Sequence, residues 1–301
     1  MKKIKIALLL VENNDYQAEQ EKSAQTVARQ LDIDLELKAI EHDAVMQSQT
    51  VIQLLQRSAE TRPDGILFEP VGTPLAQGAR MAMEKGVGWI VLNRRVDYVS
   101  DLRRQFPSGN VFCVTTSHDE VGRIQGEQMA HLLPNGGPIL YITGPADNEA
   151  SRQRTEGMQK ASGSRFDARM LKGTWSEQSA YMAVNSWLRL STSRDTHVKL
   201  VASQNDAMAL GARKAFSELP SGEERDRCLR MPFLGCDGLL MGGQAAVKKG
   251  ILTATVVIPP NAGQAIEALV ASLRGAPKPR ECIYIVPHSF PQLDSLKALA
   301  S

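Results

Sequence analysis

Residues 198–219 read VKLVASQNDAMALGARKAFSEL. The first six, from Val198 to Ser203, form a short apolar run that stops abruptly at the polar triplet Gln204-Asn205-Asp206. A strand buried on both faces of a sheet reads this way. From Asp206 to Leu219 the period changes to that of a helix, with Asn205-Asp206 placed to cap it. A buried strand that passes through a polar turn into a helix is half of a parallel βαβ unit. It predicts a parallel sheet with right-handed crossovers.

The same rhythm extends in both directions. Towards the N-terminus, strands are expected at 4–11, 35–40, 65–68, 88–92 and 111–115, alternating with helices at 16–30, 44–59 and 73–85. A second run then starts with a helix at 119–133 and the turn Asn135-Gly136-Gly137-Pro138. It continues as strand 138–143, helix 149–161, strand 167–172 and helix 178–190, and beyond residue 219 as strand 233–236, helix 239–249 and strand 252–257. A last helix at 262–274 and a strand at 281–286 remain to complete the first half. The expected fold class is α/β, with two similar doubly wound parallel-sheet domains joined by a three-crossing hinge. The N-terminal lobe is expected over 1–116 plus 258–287, and the C-terminal lobe over 117–257 plus 288–301. The crossings are expected near 115–118, 257–260 and 286–289, with Pro259 and Pro260 stiffening one of them.

Bulk properties narrow the function. A chain of 301 residues suits two domains. A hydrophobic content of 43% and a charged content of 23% are those of an ordinary globular protein. The formal net charge of +2 is too small to argue for nucleic acid or an anionic membrane surface. The run at 4–11 is broken by Lys5 and followed at once by Glu12-Asn13-Asn14-Asp15, so it reads as a first strand and not as an export leader. No other segment has the length and apolarity of a membrane span. The four cysteines, Cys113, Cys228, Cys236 and Cys282, show neither CxxC nor zinc spacing. Cys113 and Cys282 read as small core residues, and no disulfide framework is expected. The five histidines form no HExxH, and no GxSxG elbow, P-loop or dinucleotide fingerprint is present. Neither metal nor cofactor nor enzymatic activity is therefore expected.

Ligands of open parallel sheets bind beyond the carboxyl ends of the strands. Here those positions hold Asn14 and Tyr16, Glu69, Asn93 and Arg94, Gly144-Pro145-Ala146-Asp147, Trp175, Gln204-Asn205-Asp206, and Asp237-Gly238. Amides, carboxylates and guanidinium groups pair with hydroxyls, and flat aromatic rings cover C–H faces. The mixture fits a sugar.

Four motifs carry a resemblance. They are Gln204-Asn205-Asp206-Ala207-Met208-Ala209-Leu210-Gly211-Ala212, Gly235-Cys236-Asp237-Gly238, Arg152-Gln153-Arg154-Thr155-Glu156-Gly157, and Asn93-Arg94 at a strand end. Over nearly its whole length the sequence resembles the type I periplasmic binding proteins, which include ribose-binding proteins and the ligand-binding cores of lactose-repressor-type regulators. The resemblance implies a solute-binding protein that captures a monosaccharide or other polyol in an interdomain cleft by hinge closure. It implies Tyr16 and Trp175 as stacking aromatics, Asn93, Arg94 and Arg154 as groups that grip hydroxyls, and Asn205 and Asp237 as the amide and carboxylate completing a polar ring. Asn14 and Glu69 join the candidate set. Asn93 stands where the family has an aspartate, Glu69 where the ribose binders have an asparagine, Cys236 where an aromatic precedes the aspartate, and Val257 near the position of a hinge-side glutamine. Ribose itself is not implied.

Each candidate also has a plain structural reading. Arg94 and Arg95 also read as a solvated charge pair, with ligand contact assigned to Arg94 and Arg95 left at the surface. Arg154, read as opening a helix, needs a partner there because a cation opposes the dipole. Trp175 precedes Ser176, a candidate N-cap, and is either a lid over the helix start or a stacking platform. Asp237 serves either a ligand or the turn at Gly238. Of the pair Asn205-Asp206, the cap is assigned to Asp206 and ligand contact to Asn205. Glu69 either faces a ligand or pairs with Arg94. The implied partners are a small sugar or polyol and a membrane ABC transporter permease, without nucleic acid and without membrane insertion. The family places such a protein in the periplasm, while the lack of a leader leaves the cytoplasm open. The alternative is a cytoplasmic sensor related to repressor cores but lacking a DNA-binding headpiece.

Overall fold

Ile6, Ala7, Leu8 and Leu9 are all buried, two side chains on each face of the first strand. Such a strand must have a covering layer on both sides. The computed structural model supplies them and describes residues 3–11, 15–72, 75–190 and 196–298. The chain divides into two compact units, Met1–Thr116 with Pro260–Ile285 and Ser117–Pro259 with Val286–Ser301. The breaks at 259/260 and 285/286 lie two residues from those expected at 257/258 and 287/288.

In the first unit β1 (Lys5–Leu10) pairs in parallel with β2 (Asp34–Ala39) on one side and β3 (Gly65–Phe68) on the other, with Ile6 opposite both Leu35 and Gly65. With β4 (Gly88–Leu92), β5 (Val111–Thr116) and β11 (Cys282–Ile285), the sheet order is β11-β5-β4-β3-β1-β2. One face packs Phe68 and Trp89, whose ring centroids are 4.5 Å apart, against Val51, Leu54 and Leu55 of helix Ala44–Gln56. The other packs Leu8, Leu67 and Phe112 against Ile266 and Leu269 of helix Ala262–Leu273. Chain order reverses between β1 and β3, which makes their carboxyl ends the switch point where ligands bind.

The second unit repeats the plan. Its order is β12-β10-β9-β8-β6-β7, with β6 (Gly137–Thr143), β7 (Phe166–Lys172), β8 (Leu200–Ser203), β9 (Phe233–Asp237), β10 (Ala254–Val257) and β12 (His288–Phe290). All neighbours are parallel except β12, which runs antiparallel to β10. Its switch point lies between β6 and β8. Helices His118–Leu132 and Glu149–Ser162 meet backbone to backbone. A Cβ added at Gly122 would lie 2.0 Å from the carbonyl oxygen of Arg154, and one at Gly157 2.0 Å from that of Asp119.

The differences from the sequence reading have local causes. Helices Tyr98–Gln105 and Glu223–Arg230 were not expected. Both are eight residues long and bury very few side chains, Val99 and Leu102 in the first and Cys228 in the second, so each offers too few apolar positions to set a helical period. The expected helix 239–249 shrinks to Gly243–Lys248. Gly238 turns the chain at φ +59°, where a Cβ would come within 2.6 Å of Val257. The segment 286–289, expected as a hinge crossing, includes the start of β12. Arg154 lies in the second turn of its helix and not at the start, because Asn148 caps the helix by accepting from Ser151 N.

Candidate functional site

In the first unit a polar cluster forms at the carboxyl ends of β1, β3 and β4. Asn93 sits just past β4 at φ +64°, a conformation that asparagine tolerates better than most residues. Its Nδ2 donates to Glu69 Oε2 at 2.6 Å, and its Oδ1 accepts from Tyr16 Oη at 3.0 Å and from Asn261 Nδ2 at 2.6 Å. Gln17 Nε2 also donates to Glu69 Oε2, at 3.2 Å. Gln20 Nε2 donates to Tyr16 Oη at 2.9 Å and to Asn261 Oδ1 at 3.0 Å, while Gln20 Oε1 accepts from the backbone of Ala262 at 2.8 Å. Gln47 holds the chain beyond β3 through Glu69 O at 2.7 Å and Val71 N at 2.9 Å.

Three of the candidates therefore come together in this unit: Tyr16, Glu69 and Asn93. Glu69 pairs with the amide of Asn93 and Gln17. Arg94 is half-buried and makes no hydrogen bond or ion pair among the described residues. Arg95 is exposed and lies 3.7 Å from Glu281. Asn14 falls outside the described residues. Gln20 and Asn261 were missed. Gln20 lies one helical turn after Tyr16, and Asn261 lies between Pro260 and a helix, so spacing and position held the signal.

In the second unit Arg154 is the centre. It is 6% exposed, and its Nη1 donates to Gln204 O and lies 3.7 Å from Asp237 Oδ1. Its guanidinium carbon stands 5.5 Å from the centroid of the Trp175 ring. The buried Nε of Arg154 has no hydrogen-bond partner among the described residues. Trp175 is held at φ +63°, and its indole lies on Gly144, where a Cβ would come within 2.2 Å of the ring. Ser176 caps the following helix, Glu177–Leu188.

Asn205, and not Asp206, is the N-cap of helix Asp206–Ser217. Its Oδ1 accepts from Met208 N at 2.8 Å, and its Nδ2 donates to Trp175 O at 2.7 Å. This corrects the assignment of the cap to Asp206 and makes Asn205 the clamp on the Trp175 backbone. Asp206 instead lies buried against Gly235 and Gly243, accepting from Gly238 N at 2.8 Å and from Thr255 Oγ1 at 2.6 Å. A side chain on either glycine would displace it, so both positions are constrained to glycine. Gln204 is fully buried. Its Nε2 donates to Ser151 O at 2.9 Å and Thr155 Oγ1 at 2.8 Å, and its Oε1 accepts from Gly144 N at 2.8 Å.

Three charged groups set the electrostatics of this cluster, Arg154 and Asp206 buried and Asp237 partly buried. Burial pushes the Asp237 carboxyl up to about 6, with Arg154 opposing the shift. Burial, and then the charge of Asp237, push the Asp206 carboxyl well above its ordinary range. All four second-unit candidates, Arg154, Trp175, Asn205 and Asp237, thus belong to one cluster.

Residues 6–277 match the model of the periplasmic binding protein domain, and the chain belongs to this family, the type I periplasmic binding proteins. It is a family of ligand-binding proteins and not of enzymes. The ribose import binding protein of Salmonella typhimurium is 30% identical over 160 residues, a match covering 52% of this chain and 50% of that protein. The match therefore spans about half the length of that relative. A xylitol-binding protein of Mycolicibacterium smegmatis is 24% identical over 294 residues, covering 94% of this chain and 76% of that protein. Among solved structures, a galactofuranose-binding protein aligns with a TM-score of 0.79 at 17% identity, covering 97% of this chain and 96% of that one. An ABC transporter solute-binding protein of Actinobacillus succinogenes with bound D-allose aligns with a TM-score of 0.78 at 21% identity, covering 95% and 97%. At such identities these two likenesses establish the fold.

Proposed function

We propose that this protein is a receptor for a monosaccharide or related polyol, serving an ABC-type importer outside the cytoplasm. The observation that carries the reading is the group Arg154, Trp175 and Asp237. A buried guanidinium with an orphan N–H, a carboxylate beside it and an aromatic face are the three things a sugar ring asks of a protein. The relatives named for ribose and xylitol, and the neighbours named for galactofuranose and allose, support the ligand class.

In this reading the first-unit cluster of Tyr16, Glu69 and Asn93, with Arg94 next in sequence, is a second set of groups suited to hydroxyls. Asn14 completes the proposed set. The chain passes between the units three times. The exchange of amide and carboxylate between positions 69 and 93, relative to the ribose pattern, keeps one negative charge in the cluster but moves it by one strand. The preferred ligand therefore presents its hydroxyl donors differently from ribose.

A thermal-shift screen against aldoses, furanosyl sugars, cyclitols and acyclic polyols tests the proposal. Saturating ligand stabilises its receptor by about 4 kcal/mol at a thousand times Kd, which is a shift of several degrees. A shift with one polyol, lost in Arg154→Ala and in Asn93→Ala, is the expected result. No shift with any polyol would overturn it.

A further inference from the structure

Cys113 and Cys282 lie directly opposite each other on the parallel strands β5 and β11. Both side chains share one face of the sheet, since Cys113 is part of the core around Trp89 and Cys282 packs against that core. Neighbouring strands run about 4.8 Å apart, within the roughly 4.4–6.8 Å between Cα atoms that a disulfide spans. Both are free thiols here, Cys113 buried and Cys282 half-buried on β11, the edge strand of its sheet. The surroundings of the two differ. Cys113 is within hydrogen-bonding reach of Cys282 and lowers its thiol pKa, with Tyr284 and the charge of Arg95 acting in the same direction against burial. The Cys113 thiol is raised by that same contact and by burial. One member of the pair is therefore a partly accessible thiol on an edge strand, and the other is a buried thiol beside it. An attacking and a resolving cysteine differ in this way.

We propose that Cys113 and Cys282 form a reversible cross-strand disulfide by exchange with a small-molecule disulfide such as glutathione disulfide. The Cys282 thiolate attacks one sulfur of the reagent, forming a mixed disulfide and expelling one glutathione thiolate. Cys113 then loses its proton and attacks the Cys282 sulfur, expelling the second. Two protein thiols are oxidised, and one disulfide is reduced to two thiols. The bond ties the edge strand β11 to β5 and closes a covalent loop around the segment Ser117–Pro259. It fastens the strand by which the chain last leaves the first unit, and it concerns none of the residues proposed to bind ligand.

The test exposes the full-length protein to glutathione disulfide, alkylates it after unfolding, and maps the peptides by mass spectrometry. The expected result is the loss of two alkylatable thiols and a linked peptide pair containing Cys113 and Cys282, with Cys228 and Cys236 alkylated. Cys113→Ala should stall as a glutathione adduct on Cys282, because the resolving thiol is gone. Four alkylatable thiols in the exposed wild-type protein, or a linked pair other than Cys113 and Cys282, would overturn the proposal without bearing on the ligand reading.

Discussion

Arg154 Nη1 lies 3.7 Å from Asp237 Oδ1 while the same nitrogen donates to the backbone oxygen of Gln204. The guanidinium is thus aimed by the backbone and neutralised only loosely by the carboxylate. This leaves both charged groups with capacity for a third partner. Arg154→Ala and Asp237→Ala should each weaken polyol binding about tenfold or more, the cost of about 1–3 kcal/mol for a lost partner in a desolvated site. Calorimetric titration with the ligand found by screening checks this. Wild-type affinity in both variants would place the site elsewhere.

The carboxyl of Asp237, raised to about 6 by burial against the opposing charge of Arg154, gives the site a pH dependence. In the proposed site it is the ionised form that would accept from ligand hydroxyls. Affinity should therefore fall as the pH drops through 6, by up to about tenfold per unit below it. Stability moves the other way. A carboxyl whose pKa is higher in the folded than in the unfolded state opposes folding above pH 6, and the penalty is relieved as the pH falls from about 6 towards about 4. Titrations between pH 5 and pH 8 in wild type and Asp237→Asn separate the two effects, because the substituted protein, with no carboxyl at this position, should lose this contribution to both.

Gly144 is the floor under Trp175. A methyl group there would come within 2.2 Å of the indole, so Gly144→Ala must push the ring from its place beside Arg154. Overpacking of this kind costs about 1–3 kcal/mol. The expected outcome is weakened ligand binding together with an altered tryptophan emission in the unliganded protein. Unchanged emission and affinity would mean that the indole is not held as described.

Asn205→Ala removes a helix cap, worth about 1 kcal/mol, and also the hydrogen bond that clamps Trp175 O. Gln204→Ala removes a buried side chain bonded to Ser151, Thr155 and Gly144, and should cost more, about 2–4 kcal/mol. Urea unfolding of the second unit's transition ranks the two. The reverse order would show that Gln204 is less firmly tied than these hydrogen bonds indicate.

Asn93→Asp places a second carboxylate within 2.6 Å of Glu69 Oε2 and removes the amide donor from that bond. Binding of the native ligand should fall by about tenfold or more. The double variant Glu69→Asn with Asn93→Asp restores a single carboxylate–amide pair in the order of the ribose binders, and should recover folding stability while shifting selectivity. A stability gain in the double variant over Asn93→Asp alone, measured by thermal unfolding, is the readout.

The alternating strands and helices were legible because parallel strands buried on both faces leave continuous apolar runs, such as Ile66–Leu67–Phe68 and Val201–Ala202. Strand β4 was read to the residue. The helices Tyr98–Gln105 and Glu223–Arg230 were not legible, since two turns bury only Val99 and Leu102 in one and Cys228 in the other, too few positions to tell a helix from a loop. In the candidate site, position at strand ends sufficed to gather Trp175, Asn205 and Asp237, while Arg154, inside a helix, came only from the resemblance. Which side chain does what was not readable. The roles of Asn205 and Asp206 depend on whether the backbone N–H of Met208 or of Gly238 lies within reach, and that is set by the packing of β8 against β9. Gln20 and Asn261 meet from positions far apart in sequence, so no local pattern could announce their pairing.

The glycine contacts between helices His118–Leu132 and Glu149–Ser162 have a mechanical consequence. With Gly122 pressed on the carbonyl of Arg154 and Gly157 on that of Asp119, the two helices have no compressible layer of side chains between them at this point. A side chain larger than hydrogen at either glycine would force them apart. The first of them starts one residue after the chain enters the second unit at Ser117. The backbone that carries the Arg154 guanidinium is therefore seated directly on the helix that begins at that crossing, with no side chain in between at this point.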